Sequence, residues 1–125
     1  LPNHCVVYTG THDNDTTRGW LDSAAPEDLR LALDYLGLKD SEDGNWAFIR
    51  AALSSVADLA VVPFQDYLNL GSEARINTPS TVGGLNWKWR MPKDCATKKL
   101  AKKRARLTTI YGRAREEGGT RHADA

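Results

Sequence analysis

The chain has 125 residues, 41% of them hydrophobic, and a formal net charge of +1, which suits about one folded domain with a core of its own. No apolar run approaches the ~20 residues of a membrane span, and the N-terminal residues lack the charged-then-apolar order of a secretory leader, so the expected compartment is the cytoplasm, away from membranes. The near-neutral total hides a gradient: residues 1–75 carry 5 basic and 12 acidic side chains, residues 76–125 carry 12 basic and 4 acidic ones.

The first predicted element is a strand in Val6-Val7-Tyr8-Thr9, an apolar, largely β-branched run that ends in Gly10-Thr11 and then offers His12 and Asp13 side by side. In parallel α/β proteins catalytic groups stand at the carboxyl ends of strands, where loops free the side chains from the sheet. Asp13, Asn14 or Asp15 also suits capping of the helix that Thr16 and Thr17 begin, so on spacing alone both uses stay open. A calcium loop is excluded, because the pattern from Asp13 would need Asp or Asn at Thr17, Gly at Arg18 and Glu at Ala24. Cys5 reads as a buried thiol; with Cys95 it forms neither a metal pattern nor an expected disulfide.

Pro26 opens a helix running to about Leu36, with Leu29, Leu33 and Leu36 on one face and Gly37 as its stop. Asn45 is placed to cap a further helix in which Trp46, Ile49, Leu53 and Val56 keep the 3.6-residue period. The continuous apolar run Leu59-Ala60-Val61-Val62-Pro63-Phe64 then has the composition of a strand buried on both faces of a parallel sheet. Strand, helices and strand make a βαβ crossover, expected to be right-handed.

Residues 65–91 show no sustained period but are dense in polar and aromatic groups, among them Gln65, Asp66, Tyr67, Arg75, Asn77, Asn86, Trp87 and Trp89. Surfaces of this kind bind sugars: a ring covers the apolar face of a pyranose while amides, carboxylates and guanidinium groups take its hydroxyls. Trp87 and Trp89 equally suit the core of a packed loop. Towards the C-terminus Leu100, Leu107, Ile110 and Ala114 recur at near-helical spacing, so Lys98, Lys99, Lys102, Lys103, Arg104 and Arg106 read as the solvated face of a helix over residues 98–115. A nucleic-acid partner is not expected, since no aromatic residues interleave with the cations in the sequence. Residues 116–125 have the composition of a polar tail.

Three blocks carry a family resemblance: Val6-Val7-Tyr8-Thr9-Gly10-Thr11-His12-Asp13-Asn14-Asp15-Thr16-Thr17, then Pro63-Phe64-Gln65-Asp66-Tyr67-Leu68-Asn69-Leu70-Gly71, then Ala74-Arg75-Ile76-Asn77-Thr78-Pro79 followed by Asn86-Trp87-Lys88-Trp89-Arg90. In this order they resemble the C-terminal part of the 4-α-glucanotransferases of the amylomaltase type, glycoside hydrolase family seventy-seven. The resemblance implies an α/β fold, the C-terminal part of a (β/α)8 TIM barrel occupying residues 1–115. Residues 6–11 would be the seventh barrel strand and residues 59–63 the eighth. It implies transfer of α-1,4-glucan segments between maltooligosaccharides or to glucose, with retention of configuration and with neither cofactor nor metal.

By the same resemblance Asp13 is the carboxylate that stabilises the transition state, while His12 and Asn77 bind the sugar. Gln65, Asp66 and Arg75 are supporting residues behind them. The nucleophile and the acid/base of such enzymes lie on earlier strands, upstream of Leu1, so the isolated chain is expected to be an inactive fragment whose partner is the missing N-terminal barrel portion. Ser80 in place of a Gly, a small insertion at Gly83-Gly84-Leu85 and a shortened stretch before Cys5 depart from the family pattern. A non-catalytic carbohydrate-binding module is the alternative function, and a basic interaction domain a third.

Overall fold

In the computed structural model residues 4–115 are described. The first strand, β1 (Val6–Tyr8), lies parallel to β2 (Leu59–Val61) with Val6 opposite Leu59, Val7 opposite Ala60 and Tyr8 opposite Val61. Three helices connect them, α1 (Thr17–Ser23), α2 (Pro26–Leu36) and α3 (Gly44–Leu53). Beyond β2 come the short helix α4 (Phe64–Tyr67), a 3₁₀ turn at Ser72–Ala74 and the long helix α5 (Lys98–Ile110). The crossover is therefore the strand, helices, strand unit expected from the hydrophobic pattern.

Both strands are shorter than their apolar runs. β2 stops at Val61 because Pro63, which has no N–H to give a ladder, stands at the N-terminal boundary of α4. The strands are also not buried on both faces: Val6, Tyr8, Leu59 and Val61 are each more than a third exposed. A two-stranded ribbon covered by helices on one side leaves the other side open.

Helix α1 is capped by Thr16, whose Oγ1 accepts from Gly19 N at 3.0 Å. The expected capping by Asp13, Asn14 or Asp15 does not occur, since those side chains are engaged in the preceding turn and in contacts farther along the chain. Helix α2 has the predicted bounds: Pro26 occupies its first turn, Gly37 closes it at φ 70° in the left-handed region, and Leu29, Leu33 and Leu36 are half-buried. Helix α3 begins one residue before Asn45, so Asn45 is no cap. Its buried side chain instead donates from Nδ2 to the Asp66 carbonyl at 2.8 Å. Gly44 is required by packing, because a Cβ there would land on Leu21 Cδ1 of α1. Val56 falls past the end of α3 and is exposed.

The core centres on α3, with Ile49, Leu53 and Leu107 buried together and Trp46, Ala60, Val62, Tyr67 and Tyr111 packed against them. Helix α5 stops at Ile110 rather than continuing to Arg115: Gly112 adopts φ 70°, and Ile110 is exposed. Arg113 then turns back, donating to the carbonyls of Leu53, Ser55 and Ala57 at 2.8, 3.0 and 2.8 Å.

The cationic face of α5 is not wholly solvated. Lys103 Nζ lies 4.1 Å from the Trp46 ring centroid, and the Arg104 guanidinium carbon lies 4.7 Å from that of Tyr67. Cys5 and Cys95 are both half-buried and not disulfide-bonded. Among the described residues no helix is long and apolar enough to cross a membrane, and no group of three or more His, Cys, Asp or Glu could hold a metal ion. The predicted tail at residues 116–125 lies outside the described residues.

Candidate active site

The backbone leaves β1 at Tyr8 and turns sharply. Asn14 N donates to the Thr11 carbonyl at 3.1 Å, and the Asn14 Oδ1 accepts from Thr11 N at 2.8 Å and from Thr11 Oγ1 at 3.0 Å. This closed turn projects His12 and Asp13 from its tip. The Asp13 carboxylate is half-exposed, with Oδ2 3.3 Å from His12 Nε2 and Oδ1 accepting from Asn77 Nδ2 at 2.8 Å. Asn77 is 64 residues away along the chain, so this bond joins the end of β1 to the irregular segment that follows the 3₁₀ turn.

The supporting residues take distinct places. Asp66, 2% exposed, accepts from Thr9 Oγ1 at 2.6 Å and from Thr17 N at 2.9 Å, and so fastens the end of β1 and the start of α1 to the start of α4. Gln65 is buried and donates from Nε2 to the Ala74 carbonyl at 3.3 Å. Arg75 donates from Nη2 to the Asp13 carbonyl at 2.8 Å and from Nε to the Asn77 carbonyl at 2.8 Å. Every residue expected at the site is thus brought into one neighbourhood, His12, Asp13 and Asn77 at its mouth and Gln65 and Asp66 behind.

Sequence reasoning left Trp87 undecided between loop core and site. It is 64% exposed, so it is not core; its ring stands 5.1 Å from that of His12, tilted by 37°. Its backbone is in the left-handed region at φ 64°, with its N–H bonded to the Ile76 carbonyl at 2.6 Å. A bulky residue in that region is a costly exception that surrounding contacts must hold in place. Asn86 helps by accepting from Thr78 N at 3.0 Å and donating to Thr81 Oγ1 at 2.8 Å. Trp89 is half-buried. No feature of the sequence marks a positive φ at Trp87.

Next to the site is a cavity of about 360 Å³ lined by, among others, Tyr8, His12, Val61, Gln65, Arg75 and Ile76. Asp13 and Asn77 stand outside this lining, so carboxylate and cavity are neighbours rather than one enclosed chamber. The arrangement offers a localised negative charge, held by an amide and an imidazole and open to solvent, with an aromatic face beside it. That set suits a polyhydroxylated ligand that develops positive charge.

The sequence profile of the 4-alpha-glucanotransferase family matches residues 1–97. The chain belongs to that family. It is 50% identical over 111 residues to the 4-alpha-glucanotransferase of Clostridium butyricum, covering 88% of this chain and 23% of that protein. Against the enzyme of Thermus thermophilus it is 48% identical over 91 residues, covering 69% of this chain and 18% of the other. The fold is similar to that of amylomaltase from Streptococcus agalactiae in complex with acarbose, with a TM-score of 0.84 and 32% identity over 91% of this chain and 23% of that one. The chain therefore spans about a quarter or less of the length of these glucanotransferases. The matched span includes His12, Asp13, Gln65, Asp66, Arg75, Asn77 and Trp87.

Proposed function

We propose that this chain supplies part of the active site of a 4-α-glucanotransferase, which moves α-1,4-glucan segments from one maltooligosaccharide to another or to glucose with retention of configuration. The observation that carries the reading is the Asp13–Asn77 hydrogen bond at 2.8 Å, which joins the first and third of the family blocks into one carboxylate-centred site at the carboxyl end of a parallel strand. Asp13 stabilises the oxocarbenium-like transition state. Its charge is already oriented when the sugar cation develops, so little reorganisation is needed at the moment of reaction. His12 and Asn77 bind hydroxyls of the same sugar, and the Trp87 ring provides an apolar face beside them.

Retaining transfer also needs a carboxylate nucleophile and a carboxylic acid about 5–5.5 Å apart. In this reading both come from residues preceding Leu1, on earlier strands of a (β/α)8 barrel in which β1 and β2 are the seventh and eighth strands. The exposed row Val6, Tyr8, Leu59 and Val61 supports this, because inward-pointing side chains of a closed barrel pack against those of other strands. The solved relative in complex with acarbose supports a glucan-like ligand.

The test is product analysis with the protein expressed from the complete reading frame that encodes these residues. Incubated with maltotriose it is expected to yield glucose together with maltooligosaccharides longer than the substrate. Only shorter products, the pattern of hydrolysis, would contradict transfer.

A further inference from the structure

Among the described residues Arg75 is the one cation that touches the candidate site through two of its residues. Nε and Nη2 lie along one edge of the planar guanidinium, and that edge spans two chain segments: Nη2 donates to the Asp13 carbonyl and Nε to the Asn77 carbonyl, each at 2.8 Å. The side chains of the same two residues are bonded to each other at 2.8 Å. Asp13, Asn77 and Arg75 therefore close a ring of hydrogen bonds in which backbone and side-chain positions fix one another. Ile76, between Arg75 and Asn77 in the chain, accepts in turn from Trp87 N at 2.6 Å.

We infer that Arg75 is a positioning residue, which sets the distance and angle of the Asp13 carboxylate by clamping the Asp13 and Asn77 backbones together while leaving the carboxylate itself unquenched. The charge logic is specific. A guanidinium paired directly with the carboxylate would neutralise the negative charge on which a developing sugar cation depends. Here the guanidinium takes carbonyls, and the carboxylate is held by the Asn77 amide and His12. Lysine cannot reproduce this, since a single ammonium lacks the rigid two-donor edge. The inference rests on the glucan-transfer reading of the site and adds the residue that holds its geometry.

The experiment compares Arg75→Ala and Arg75→Lys, each alone and combined with Asp13→Asn, in the protein from the complete reading frame acting on maltotriose. Arg75→Ala is expected to lower kcat about 100-fold, the scale of a roughly 1 Å misplacement, with KM nearly unchanged; Arg75→Lys should fall between it and wild type. In the Asp13→Asn background either substitution should change kcat by less than about threefold, because the carboxylate it positions is gone. A residue that merely stabilises the fold would cost the same factor in both backgrounds. Equal factors, a rise in KM alone, or more than half of wild-type kcat in Arg75→Ala each overturns the inference. Should Arg75→Ala fail to fold, Arg75→Lys is judged by the same comparison of backgrounds. Wild-type protein inactive on maltotriose overturns the transfer reading and this inference together, whereas active wild type with an unaffected Arg75 variant overturns the inference alone.

Discussion

His12 meets Asp13 through Nε2 at 3.3 Å and meets Trp87 through its ring face at 5.1 Å, so the imidazole is oriented from two sides while remaining half-exposed. In the proposed site it orients the sugar, and the carboxylate next to it has a separate hold in its bond to Asn77. His12→Ala is accordingly expected to reduce turnover of maltotriose by less than the loss of the carboxylate charge does, and to raise KM through weaker orientation of the sugar. Steady-state kinetics of the two variants side by side check the order; a His12→Ala enzyme more impaired than Asp13→Asn would reverse the assigned roles. At this scale the motif residues His12, Asp13 and Asn77 were legible from their resemblance to a family. Their partners were not. That Arg75 would bind the Asp13 carbonyl rather than a carboxylate depends on loop closure across 62 residues, and no local pattern encodes it.

Helix α2 has its predicted bounds because Pro26 and Gly37 act on their own segment. Asn45 does not serve as the predicted cap because its partner, the Asp66 carbonyl, is 21 residues away. Helix α5 ends five residues short of the predicted Arg115, although Leu107 and Ala114 share the helical spacing, because Gly112 reverses the chain and Arg113 binds the end of α3. Asp66 shows what holds the site-bearing turn to the scaffold: its two carboxylate oxygens take Thr9 Oγ1 from the end of β1 and Thr17 N from the start of α1. Replacing it with Ala strands Thr17 N in a buried place, at about 1–3 kcal/mol for a group left unpaired, and takes the partner from the part-buried Thr9 hydroxyl. Asp66→Ala should therefore lower the urea midpoint of the complete enzyme clearly, and Asp66→Asn less, since one acceptor oxygen remains. An unchanged midpoint in Asp66→Ala would show that β1 and α1 are held by other means.

The whole molecule presents a two-stranded parallel ribbon with helices on one side and the exposed row of Val6, Tyr8, Leu59 and Val61 on the other. Open ladder edges and an apolar sheet face promote association with other chains. The chain expressed alone is expected to self-associate in sedimentation, to exchange its strand amides rapidly, and to release no glucose from maltotriose. A monodisperse monomer with slowly exchanging amides in both strands would show that these residues stand by themselves and would favour a binding module. In the proposed reaction Asp13 is the carboxylate that this chain contributes, the other two being assigned to preceding residues. Asp13→Asn keeps the shape and the contact with Asn77 while removing the charge, and loss of one preorganised electrostatic group costs about 10²–10³ in rate. The decisive measurement is the kcat of maltotriose disproportionation by the protein from the complete reading frame and by its Asp13→Asn variant, with folding checked by circular dichroism. A fall of at least about 10² in rate with an unchanged spectrum is the predicted result; a folded variant retaining more than half of the wild-type rate would contradict the role assigned to Asp13.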